Sequence, residues 1–111
     1  MKVAIIGGEA KHLKILDEHL MELIEESEHY LFDVIGGAVA PCSDDPSLGQ
    51  LWARYRGLPY YFKEYKDLGS MMRGVSDAAD YIIFINDGSQ IMKRFIMTYR
   101  QTGKHGSVID I

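Results

Sequence analysis

One cysteine, three prolines and one tryptophan are all that 111 residues contain of those types. A lone Cys42 closes no intrachain disulfide and has no cysteine partner for a zinc site, a usage that fits a reducing compartment. Apolar runs are short as well, and none approaches the roughly 20 residues of a membrane-spanning helix. The opening run MKVAIIGG meets Gly7 and Gly8 too early for the apolar stretch of a secretory signal, so the cytoplasm is the expected location. Basic blocks are missing too. Twelve Lys and Arg stand against 16 Asp and Glu, a formal net charge of −4, so a phosphate-neutralising nucleic-acid face is not expected. A second hydrophobic core would need more chain, and residues 1–111 are expected to form one domain.

What is present is an ordinary globular composition, 47% hydrophobic and 25% charged, arranged in two alternating patterns. Short β-branched or aromatic runs predict strands at Val3–Ile6, Leu31–Ile35, LPYYF, YIIFI and SVIDI. Between them, helical spacing predicts helices from Ala10 to Ser27, through LGQLWARYR, through DLGSMMRGVSDAAD and from Ser89 to Thr102. Gly57 reads as a helix C-cap and Gly103 as the stop before the last strand. AVAPCSDDPSLG, with Pro41 and Pro46, reads as a loop. No interval between strands is short enough for a hairpin. The pattern therefore predicts a three-layer α/β/α domain with a five-stranded parallel sheet joined by right-handed crossovers.

Ligands in such sheets sit beyond the carboxyl ends of the strands, where strand order reverses. Glycines stand at three of the expected strand-to-helix junctions: Gly7-Gly8, Gly36-Gly37 and Gly88. Glycine lets backbone approach a ligand, and a helix N-terminus offers free N–H groups to an anion. With the order 3-2-1-4-5, GGEA and NDGS would face each other across a crevice. Each motif also has a plainer reading. Gly-Gly serves as a tight turn, and Asp87 or Ser89 as a helix cap. Neither glycine pair is a dinucleotide fingerprint or a P-loop.

The ordered set KVAIIGG, DVIGGAVAPCSDDPSLGQLWARYRGLPYYF, GSMMRGVSDAADYIIFINDG and TGKHGSVIDI spans nearly the whole chain. It resembles the SLOG superfamily, Rossmann-like proteins related to the DNA-processing protein DprA and the cytokinin-activating Lonely-guy enzymes. The nearest branch is the small YspA-like, YpsA-related one. The resemblance implies a nucleotide-derived ligand and a homodimer. By motif position it implies a first contact at Gly7 and Gly8, and a phosphate or ribose edge at Gly36, Gly37 and Ala38. Asp45, or Asp44 beside it, would take the acidic position. Arg73 would offer its planar fork to a phosphate. Asn86, Asp87, Gly88 and Ser89 would form the last loop. The Lonely-guy enzymes carry P-G-G-x-G-T there and a catalytic acid in the following helix. This chain reads NDGSQI, with Lys93 and Arg94 at that place. Glycosidic hydrolysis needs a carboxylate, so no catalytic residue is assigned.

The remaining chemistry-bearing residues carry bland expectations. His12, His19, His29 and His105 lack ligand spacing and are expected at the surface, with no metal site. Asp17, Glu18, Glu22, Glu25 and Glu26 read as a solvated helix face. Arg54 and Arg56 are expected on an exposed face, and Tyr60, Tyr61, Phe62 and Tyr65 mostly in strand core. Met71, Met72, Met92 and Met97 suit either a subunit contact or core filling. The leading expectation is a module that binds a nucleotide-derived small molecule for sensing or sequestration, with no cofactor. A hydrolase of an N-glycosidic or phosphate bond, with Asp44, Asp45 or Asp87 as acid or base, remains open. So does an interaction protein whose glycines are only turns.

Overall fold

A computed structural model describes residues 1–27, 32–40 and 46–111. Five strands, β1 (Lys2–Ile6), β2 (Asp33–Val39), β3 (Tyr60–Tyr65), β4 (Tyr81–Asn86) and β5 (His105–Asp110), form one sheet in the order β3-β2-β1-β4-β5. Every pairing is parallel. The helices are α1 (Leu13–Ser27), α2 (Leu48–Arg56), α3 (Leu68–Ala78) and α4 (Gln90–Gln101), with a 3-10 turn at Ala10–His12 leading into α1. This is a Rossmann-like α/β fold. No helix among the described residues is long and apolar enough to cross a membrane.

Strand periodicity divides the core in two. Val3 and Ile5 of β1 and Ile83 and Ile85 of β4 pack against α1 and α2, with Leu16, Leu20 and Trp52. Their alternates Ala4, Ile6, Ile82 and Phe84 pack against α3 and α4, with Val75, Phe95 and Tyr99. Helix boundaries follow from caps. Ser47, Asp67 and Ser89 are extended at the N-cap, and each side chain accepts a backbone N–H three residues on. Gly57 closes α2 in the left-handed conformation at φ 67°, which any side chain would strain.

Several expectations need correction. The pair Gly36-Gly37 does not follow β2 but lies inside it, in register with Phe62 and Lys63 of β3. A Cβ at Gly36 would collide with the Tyr60 hydroxyl, and one at Gly37 would come within 2.9 Å of the Tyr65 ring. These glycines therefore make room for tyrosines rather than turn the chain. Tyr61 and Phe62 are 56% and 49% exposed, because β3 is an edge strand. His12 is buried, its Nδ1 accepting the Glu9 N–H at 2.9 Å. Asp17 is no solvated acid. Its carboxylate accepts Trp52 Nε1–H at 2.9 Å and Arg56 Nε–H and Nη2–H at 2.8 and 2.7 Å, tying α1 to α2. Met71 and Met92 are buried, Met72 is partly so, and Met97 is 64% exposed. Leu31, His29 and Cys42 lie outside the described residues.

Candidate functional site

The loop after β1 turns on Gly7 and Gly8, at φ 86° and 83°, values that side chains resist. Packing makes the same demand. A Cβ at Gly8 would come within 2.5 Å of Leu48 Cδ2, and one at Gly7 within 2.7 Å of Met92 Cε. The β1 loop is thus pressed between the first turns of α2 and α4. Alongside it stand Gly36 and Gly37 of β2, with Tyr60 and Tyr65 packed where their side chains would be. The four glycines, Ser47 and Leu48 at the start of α2, and Met71 line a cavity of about 170 Å³. It lies beyond the carboxyl end of β1, between β1 and β2.

The chemistry of this cavity is that of backbone and hydroxyl. Ser47 Oγ accepts the Gln50 N–H at 3.2 Å and lies 3.0 Å from the Tyr60 hydroxyl, which rests over Gly36. The first helical N–H groups, at Leu48 and Gly49, have no carbonyl partner within α2, so the positive end of the helix dipole is open there. Among the described lining residues there is no acid and no base. That set can hold an anionic or hydroxylated group but supplies no proton-transfer residue of its own.

Gly7, Gly8, Gly36 and Gly37 therefore come together. The other expected site residues stand apart from them. Ala38 is half-buried further along β2, opposite Glu64. Arg73 is exposed on α3, its Nη1 turned back over Gly69 near the Asp67 carboxylate. The NDGS loop does not border the cavity, contrary to the expected crevice between β1 and β4. Met92 and Ile85 fill that space against Gly7. Asn86 Nδ2 donates to Asp110 at 2.8 Å, while its Oδ1 accepts the Gly88 N–H at 3.0 Å. Asp87 accepts the Ser89 N–H at 2.9 Å, which holds its carboxyl below the usual aspartate range. Ser89 in turn caps α4 through the Met92 N–H. The loop is a chain of local caps. Asp44 and Asp45 lie outside the described residues.

Sequence reasoning missed Ser47, Leu48 and Met71. A signal for the first two was present, since Pro46-Ser47 starts a helix that must leave from the carboxyl edge of the sheet. Met71 carries none, because only the crossing of α3 over β2 brings it there.

Compared with known families and with curated proteins, the chain matches no family model and no curated protein.

Proposed function

We propose that this protein binds the phosphate or sugar-phosphate portion of a nucleotide-derived small molecule in the glycine-lined cavity, in a sensing or sequestering role. The observation that carries this reading is the convergence of Gly7, Gly8, Gly36 and Gly37 on the amino end of α2. The glycines let the β1 loop, β2 and α2 draw together around this space, and a helix amino end favours an anion. Size refines the reading. About 170 Å³ is below the roughly 300–1,000 Å³ that encloses a drug-sized ligand, so the base would lie outside the cavity. The resemblance to the SLOG superfamily points to the same ligand class. It also implies a homodimer, for which the exposed Tyr61 and Phe62 on edge strand β3 offer an apolar surface.

The test is a thermal-shift screen against adenine and guanine nucleotides, ADP-ribose and cyclic nucleotides. A ligand at 100 times its Kd adds about 2.7 kcal/mol, which raises the Tm of a domain this size by several degrees. Ser47→Asp keeps a good N-cap but sets a carboxylate at the cavity. The variant is expected to melt like wild type without ligand and to lose the ligand shift. A panel with no stabilising ligand, or a Ser47→Asp variant that binds as well as wild type, sinks the proposal.

A further inference from the structure

A second cavity lies on the opposite side of the sheet from α1 and α2, between α4 and edge strand β5. It is far larger, about 760 Å³, and its lining is of another kind. Helix α4, QIMKRFIMTYRQ, carries three cations and no acid in a chain whose net charge is −4. Its buried stripe is Met92, Phe95, Ile96 and Tyr99. The adjacent stripe, Lys93, Met97 and Arg100, follows the i, i+4, i+7 spacing of one helix face and borders the cavity. Lys104 extends that line into the turn before β5.

The cavity is polarised along its length. Helix α4 starts beside the carboxyl end of β4, so Lys93 lies at the end marked by Asn86 and Asp110. Arg100 and Lys104 lie at the other end, roughly 10 Å away at 1.5 Å per residue. Between them, Ile96, Met97 and Val108 give an apolar wall. No ion pair among the described residues involves Lys93, Arg100 or Lys104. Lys104 Nζ donates to the Ser76 carbonyl, which leaves two of its three donors. Asp110 spends Oδ1 on Asn86 and keeps Oδ2.

We propose that the α4–β5 cleft is a binding site for an amphipathic organic anion about two helical turns long. A phosphate or carboxylate head sits between Arg100 and Lys104. An apolar body lies along Ile96, Met97 and Val108, and a hydroxyl or amino donor at the far end meets Asp110. Charge complementarity selects the head, and the apolar wall sets this ligand apart from a bare inorganic ion. The site is separate from the glycine-lined cavity, with which it shares no lining residue.

Octyl phosphate is the probe, with inorganic phosphate and octanol as the head-only and body-only controls. In a titration followed by backbone amide NMR, octyl phosphate is expected to give saturable shifts from Lys93 to Lys104 and from Gly106 to Asp110. Either control alone is expected to bind at least tenfold more weakly. Arg100→Ala/Lys104→Ala is expected to weaken binding at least tenfold, and Met97→Glu, on the exposed wall, is a second route to the same loss. Ser47→Asp is expected to leave the affinity unchanged, which separates this site from the one proposed above. Four results overturn the inference. They are shifts confined to the β1 loop and α2, no saturation at millimolar probe, unchanged affinity in both cleft variants, or a dimer by sedimentation that Met97→Glu dissociates, which would mean that a second copy covers the cleft.

Discussion

The two faces of the sheet are built to different standards of closure. On the α1–α2 face, Trp52, Leu16, Leu20, Leu48, Ile83 and Ile85 are among the largest fully buried side chains of the described residues. On the α3–α4 face, Val75 alone belongs to that set, and Phe95, Ile96 and Tyr99 each keep a few per cent of their surface. The difference has a polar counterpart. Asp17 locks α1 to α2 through Trp52 and Arg56, whereas Lys93 and Arg100 of α4 border an open cleft. A closed face supplies stability and leaves the opposite face free to keep a large cavity. The two longest described helices differ in charge as well, with five acids on α1 and three cations and no acid on α4.

The largest test of that contrast is a pair of truncations. Leu20→Ala, at a site fully enclosed, is expected near the upper end of about 2–5 kcal/mol. Ile96→Ala, beside the cleft, is expected near the lower end, because neighbours can relax into open space. Denaturant unfolding of both variants checks the order, and equal losses would break the comparison.

Next comes the lock itself. Asp17→Ala leaves the buried indole N–H of Trp52 without its acceptor, a loss of about 1–3 kcal/mol. The Arg56 bonds hold the Asp17 carboxyl below its ordinary value of 3.8. Its contribution is therefore full at neutral pH. It falls away as pH drops from that ordinary value through the depressed folded one, since the unfolded chain takes up the proton first. Unfolding curves at neutral and strongly acidic pH are expected to show the gap between wild type and Asp17→Asn narrowing with acid. A gap independent of pH would mean that the lock acts by shape rather than charge.

The smallest effect is at the caps. Ser89→Ala removes the acceptor for the Met92 N–H and is expected to cost α4 about 1 kcal/mol, with Ser89→Asp near neutral. Amide exchange confined to the first turn of α4 would sharpen the picture of a locally capped loop at NDGS.

How much of this could be read in advance depends on the range of the interaction. The alternation of strand and helix, the Ser89 start of α4 and the Gly57 stop all rest on periodicity and local sterics, and the structure has them where the residues indicate. Gly36-Gly37 misled for the opposite reason. A glycine pair after an apolar run looks like a turn, and only the tyrosines of β3, more than 20 residues on, explain why the strand continues through it. Asp17 looked solvated because Arg56 is 39 residues away. Of the expected site, the glycines of β1 and β2 share one cavity, while Arg73 and NDGS follow their own helix and caps.

The amino-acid pattern by itself therefore determined the α/β class, the alternation of strand and helix and the helix ends, because these are settled by repeats of two and 3.6 residues and by caps within one turn. The tertiary structure alone decided the order of the strands, which glycines meet, which acid is locked and that Lys93 and Arg100 border a cleft. Those depend on pairings between elements distant in the chain, whose register no local spacing encodes.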